Sequence, residues 1–238
     1  MKTFNTAERL IRSLVRNVLS ESSSPVAKAD AEGLAVLITS YSYGVGQPMI
    51  IVYDPAKMQS YLDSITADGK NINEIYPAIM RDLGVIRASV IYISNDEPCN
   101  DAASVAMSVS FEGSGMGPAA YDIAMWHSKG GLTSDRADVS QSARSVWKKY
   151  NKRTDIEKTE FDNIEKPKTL PTEDDCTLHK GMPELNKSYK ILSKPAGLDS
   201  MIARHDEFLD KTTADGVKHL NSQLGAASSM LFSKRFGR

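Results

Sequence analysis

The segment Glu112-Gly113-Ser114-Gly115-Met116-Gly117-Pro118-Ala119 carries the residue types best suited to chemistry. It follows a β-rich run over residues 104–111 and precedes a helical pattern over residues 118–128. Glycine at such a joint lets the chain turn sharply and lets a ligand come close to the backbone. The N–H groups at a helix start then attract an anion, such as a phosphate or pyrophosphate. A Walker loop would continue as Gly-Lys-Ser/Thr, whereas this chain reads Gly117-Pro118-Ala119. A dinucleotide fingerprint needs G-x-G-x-x-G, and the spacing here is G-x-G-x-G with proline next. Both nucleotide readings are disfavoured.

Other reactive residues are sparse. His127, His179, His205 and His219 are scattered, and no C-x-x-C or H-E-x-x-H spacing occurs, so no metal is expected. Cys99 and Cys176 are too few to staple a chain of 238 residues. Reduced thiols, and a cytosolic origin, are the expectation.

The elements that must position the turn can be read from periodicity. Residues 34–39 and 49–53 are apolar strands separated by the turn signal Tyr43-Gly44-Val45-Gly46-Gln47-Pro48. A helix over residues 55–65 follows, with Asp54 as its cap, and a second over residues 72–83 ends at Gly84. Residues 85–94 and 104–111 are further strands. The helix over residues 118–128 ends at Gly130-Gly131, and a helix over residues 139–152 is capped by Asp138 or Ser140. A strand over residues 155–161, a long excursion over residues 162–183 and a last strand over residues 185–192 complete the middle. This order predicts a mixed α/β or α+β domain.

The ends differ from the middle. Residues 5–19 form an amphipathic pattern with Leu10, Ile11, Leu14, Val15, Val18 and Leu19 on one face and Arg9, Arg12 and Arg16 on the other. The arginines interrupt the apolar run, so a secretory signal is not expected. Residues 20–25 read as a linker. Helices are expected over residues 199–211 and 213–232, followed by the basic end Lys234-Arg235-Phe236-Gly237-Arg238. The expected division is a leader and linker at 1–24, a domain at 25–195 and a helical extension at 196–238. Lys+Arg total 29 against 30 Asp+Glu, a net charge of −1, which disfavours a general nucleic-acid binder. No apolar stretch reaches membrane-spanning length.

The turn Glu112-Gly113-Ser114-Gly115-Met116-Gly117 resembles the [Gln/Arg]-x-x-G-x-[Gly/Ala] turn of the GNAT acyltransferase superfamily. The stretches Gly131-Leu132-Thr133-Ser134-Asp135-Arg136 and Val139 to Tyr150 resemble that fold's fifth strand and fourth helix. The combination of the glycine turn, Tyr121-Asp122, Asp135-Arg136 and Val146-Trp147-Lys148-Lys149-Tyr150 is similar to GNAT-like proteins of tailed bacteriophages, over Gly33 to Leu192. The resemblance implies a GNAT-like mixed sheet flanked by helices. It implies that Gly113, Ser114, Gly115, Met116, Gly117 and Ala119 hold the pyrophosphate of acetyl-CoA. It also implies Tyr150 as the acid that protonates the departing thiolate. Glu112, or Ser110 through a water, is a candidate base. Glu112 stands where the family usually has Gln or Arg, and a carboxylate there repels a pyrophosphate. Pro118 lacks an N–H donor. Trp126 and Trp147 are expected in the core, and Asp135 and Arg136 to pair with each other or cap the next helix.

Two functions are compatible with these residues, and the terminal helices, Glu112 and Pro118 favour the first. One is a bacteriophage virion-associated protein docked by its terminal helices to other virion or assembly proteins. The other is an active acetyl-CoA-dependent N-acetyltransferase. The corresponding location is the virion or host cytoplasm.

Overall fold

The computed structural model describes residues 24–41, 47–67, 84–110, 114–137, 139–168, 170 and 172–211. The amphipathic leader, the expected helices at 72–83 and 213–232, the basic terminus, Glu112 and Gly113 lie outside the described residues. Among the described residues the architecture is mixed α/β: a seven-stranded, mostly antiparallel sheet with five α-helices.

Ser24 opens the described chain as a helix cap, its hydroxyl accepting from Ala27 N at 3.2 Å. With Pro25 in the first turn it starts α1 (Pro25–Ala31), so the end of the expected linker is helical. Strands β1 (Ala35–Tyr41) and β2 (Gln47–Tyr53) pair antiparallel from Ala35↔Tyr53 to Tyr41↔Gln47. Asp54 caps α2 (Pro55–Ala67), accepting from Lys57 N at 3.1 Å. Strands β3 (Ile86–Ser94) and β4 (Ala103–Ser110) follow, then α3 (Gly117–His127), the short β5 (Leu132–Thr133) and α4 (Gln141–Lys152). Of the two expected caps for α4, Ser140 is the one seen, accepting from Ala143 N at 3.2 Å. The chain continues through β6 (Glu157–Glu160), β7 (Asp162–Asn163), β8 (Asp175–Cys176), β9 (Lys187–Lys190) and α5 (Leu198–Asp210).

The sheet order is β1-β2-β3-β4-β5-β9-β6, and β4 with β5 is its parallel pair. Alternation along β1 and β2 builds two apolar layers. Val36, Ile50 and Val52 face one layer with α1, α3 and α4, where Ile123, Met125, Trp147 and Tyr189 are buried. Ala35, Leu37, Met49, Ile51 and Tyr53 face the other with Met58 of α2 and Phe208 of α5. Residues 49–53 are buried on both faces, which explains their unbroken apolar run.

Helix α5 packs on β1. Leu198 and Met201 join the first layer and Phe208 the second. Arg204 donates to Leu34 O at 2.9 Å and pairs with Asp30 at 2.7 Å. The Tyr53 hydroxyl and His205 Nδ1 share a hydrogen bond at 2.8 Å.

The cysteine expectation is corrected. Cys99 and Cys176, 77 positions apart, form a disulfide. It ties the β3–β4 connection to the excursion, whose β7 and β8 pair as a parallel two-stranded sheet. A small apolar cluster of Cys99, Ala102, Phe161 and Cys176 lies beneath it. No short-range motif marks this bridge, because folding alone brings the two sulfurs together.

Candidate functional site

The register of β3 against β4 creates the site. Ile91 pairs with Met107 but Tyr92 with Val105, so Ala106 is an extra residue on β4. Such a bulge bends its strand and increases local twist. Strand β5 pairs with β4 only at Ala103↔Leu132 and Ser104↔Thr133. From Val105 to Ser110 the β5-side edge of β4 therefore has no strand partner among the described residues. Helices α3 and α4 line the gap, leaving a cleft of about 1100 Å³. One wall is β4 with Met107, Ser108 and Ser110. The facing wall is Ala143, Val146, Trp147 and Tyr150 of α4, and Gly117, Pro118 and Tyr121 of α3 lie at its base. Asp135, Lys149, Arg153 and Asp155 add charge at the rim. The Asp135 carboxylate accepts from Ala137 N at 2.7 Å, and Arg136 turns away to Thr133 Oγ1 at 2.9 Å and Leu185 O at 2.7 Å. The two neighbours neither pair with each other nor cap α4.

The glycine turn leads into this base, and of its described residues Gly117 lines the cleft. Ser114 Oγ donates to Arg87 O and accepts from Met116 N, both at 3.3 Å, which fixes the turn. Gly115 has φ +65°, and a side chain there would meet Lys28 Nζ of α1 at 3.5 Å. The ammonium thus lies over the turn. Met116 caps α3 without a side-chain hydrogen bond. That end combines the positive pole of a helix with a lysine charge, a good setting for an anion. A Cβ at Gly117 would lie 3.3 Å from Ser110 Oγ, so β4 and the turn close on each other there. The Met116 and Ala119 side chains are buried in the core, and Ala119 N donates to Met116 O at 3.1 Å.

Tyr150 lines the cleft with its ring. Its hydroxyl bonds to Asp122 Oδ1 at 3.1 Å and Pro118 O at 3.2 Å. Asp122 is only 1% exposed and also accepts from Arg153 Nη1 at 2.6 Å. Arg153 stacks over the Tyr150 ring at 5.4 Å and bonds Asp155 through Nε at 3.0 Å and Nη2 at 2.6 Å. Burial pushes the Asp122 carboxyl up, opposed by Arg153. Burial, with Asp122 alongside, holds the Tyr150 phenol well above its ordinary range. Tyr150 is thereby a protonated strut joining α3 to α4.

Sequence reasoning passed over a second tyrosine. Tyr121 donates to Ser108 Oγ of β4 at 2.9 Å, and both line the cleft. Burial raises its phenol too, with the Ser108 hydrogen bond opposing. The signal available was its place one turn into the helix after the glycines. Lys28 carried no local signal, because it reaches the turn only through the packing of α1 on α3. Trp147 is buried in the core as expected, whereas Trp126 is half-buried with Lys194 Nζ 5.6 Å from its ring.

No protein family, curated protein or solved structure matches the chain. Its function must therefore be argued from this geometry.

Proposed function

We propose that the cleft binds an acyl-CoA thioester and that the chain is an N-acyltransferase of the GNAT type. The observation that carries this reading is the conjunction of three features on β4, α3 and α1. They are a parallel pair that separates at a bulge, a glycine turn opening a helix, and Lys28 over that turn. An extended, amide-bearing arm can hydrogen-bond the unpaired edge of β4, as a further strand would. The turn and Lys28 receive the pyrophosphate. The amine then attacks the thioester carbon, and the departing sulfur needs a proton. Tyr121 of α3, which donates to Ser108 on the open edge of β4, is the proton source in this reading, while Tyr150 positions α3 against α4. Glu112 remains the candidate base.

Thiol release from acetyl-CoA, measured across peptide N-termini, lysine side chains and small polyamines, tests this reading. Release dependent on one amine class, and at least tenfold lower in Tyr121→Phe, is expected. Thiol release no faster than buffer hydrolysis with every amine would reject catalysis.

A second reading is favoured by the Cys99–Cys176 bridge. Disulfides persist outside the reducing cytosol, as in a particle released from a cell. In that reading the chain is a bacteriophage virion-associated protein attached to neighbouring virion proteins through its termini. Deleting residues 1–20 tests it: normal incorporation of the shortened chain into particles would reject docking by the leader.

A further inference from the structure

The disulfide has a third polar neighbour. Glu97 Oε2 lies 3.8 Å from Cys99 Sγ. Among the described residues, the ligand atoms of Glu97, Cys99 and Cys176 all lie within 4.8 Å of one another. Both cysteines are fully buried and Glu97 is half-buried.

We propose that in the reduced protein Cys99, Cys176 and Glu97 hold one thiophilic divalent cation such as Zn²⁺, so that a metal replaces the cross-link made by the disulfide in the oxidised protein.

The distances suit this exchange. Tetrahedral zinc, with Zn–S of about 2.3 Å and Zn–O of about 2.1 Å, sets its sulfur and oxygen ligands about 3.6 Å apart. The Glu97–Cys99 separation of 3.8 Å is already near that value. After reduction, the two sulfurs need only move to about 3.8 Å from each other. Water completes the fourth position, as in sites with three protein ligands.

The surroundings suit it as well. Two thiolates and a carboxylate around a divalent cation leave one negative charge. Arg136 supplies the compensating positive charge, with Nη1 3.8 Å from Cys176 Sγ. Its guanidinium is held there by Thr133 Oγ1, Thr177 O and Leu185 O. A cation beside a thiol also favours the thiolate, the form that binds metal. Thr177 donates to Glu97 through N at 2.6 Å and Oγ1 at 2.5 Å, orienting the carboxylate as outer-shell partners of metal ligands do. The backbone adds an independent sign. Cys99, Asn100 and Asp101 are three consecutive non-glycine residues at φ 43°, 57° and 58°. Such strain persists where its surroundings over-determine it, and it concentrates at ligand clamps.

The chemistry balances with a dithiol reductant. The dithiol gives two electrons and two protons to the Cys99–Cys176 bond and is itself oxidised to a disulfide. The two thiols then lose their protons to solvent as the cation binds.

The test is metal binding by the full chain, reduced and then freed of reductant without oxygen. Reduced protein should take up one equivalent of Zn²⁺. Co²⁺ in its place should give thiolate-to-metal charge transfer and the visible bands of tetrahedral cobalt. Glu97→Gln should weaken binding at least tenfold, Cys99→Ser and Cys176→Ser at least a hundredfold, and the oxidised protein should bind none. Circular dichroism identifies the folded variants, and two serine variants keep the test open if one fails to fold. The proposal is overturned if reduced protein takes up no stoichiometric metal, or if Glu97→Gln binds it as tightly as the unchanged chain.

Discussion

Tyr150, Asp122 and Arg153 show how side-chain chemistry and architecture are joined beside the cleft. The Asp122 carboxylate is buried and depends on the Tyr150 hydroxyl and the Arg153 guanidinium. Removing one partner of a buried charge costs more than the pair contributes, because the remaining charge stays desolvated. Arg153→Ala should therefore destabilise the protein by about 3 kcal/mol, and Tyr150→Phe by about 1–3 kcal/mol. Urea denaturation checks both. A Tyr150→Phe variant with unchanged stability and lost activity would instead make Tyr150 the acid that its sequence position suggests. The sequence alone showed a tyrosine on the right helix. It did not show that the hydroxyl faces Asp122, because that depends on how α3 and α4 pack.

At the scale of elements, periodicity was a good guide where one face of a strand or helix meets the core. The strands at 49–53 and 85–94 and the helices after Asp54 and Ser140 fall within a few residues of expectation. The excursion over 162–183 was legible as such, but what holds it was hidden. It is held by a disulfide, by Glu97 and Arg136, and by strands of two residues, none of which has a period. The bulge at Ala106 that opens the cleft was hidden too, since a single inserted residue leaves the alternation of β4 almost intact.

The anchoring of α5 gives a prediction at the same scale. Burial holds the His205 imidazole below its ordinary value, with Asp206 opposing. The unfolded chain takes up a proton near pH 6.5, whereas the folded chain takes it up only at lower pH. The contribution is thus complete above about pH 6.5 and is lost as pH falls through that value. The urea midpoint should decline from about pH 7.5 to about 5.5. His205→Gln, which keeps a hydrogen-bonding partner for Tyr53, should flatten that decline.

For the whole molecule, the bridge between Cys99 and Cys176 closes a long loop across a sequence separation of 77. Chain-entropy reasoning gives such a cross-link about 4–5 kcal/mol. Reduction without metal should lower the free energy of unfolding by about that much, and hydrogen exchange should quicken in residues 97–102 and 172–182. The near-zero net charge, which first spoke only against nucleic acid, conceals local order. Lys28 sits over the glycine turn, and Arg136 sits beside a sulfur. The fold class was legible in the order of elements, and the glycine turn pointed to Gly117, which lines the cleft. The cation over that turn was not legible, because α1 reaches it only in three dimensions.

Calorimetric titration of acetyl-CoA into the full chain tests the central claim most directly, with Lys28→Ala and Gly115→Trp alongside. The account predicts saturable one-to-one binding by the unchanged chain. Affinity should fall about tenfold in Lys28→Ala, the loss of one charge-assisted contact, and binding should vanish in a folded Gly115→Trp. Absence of binding at millimolar acetyl-CoA, or equal affinity in all three chains, would contradict it.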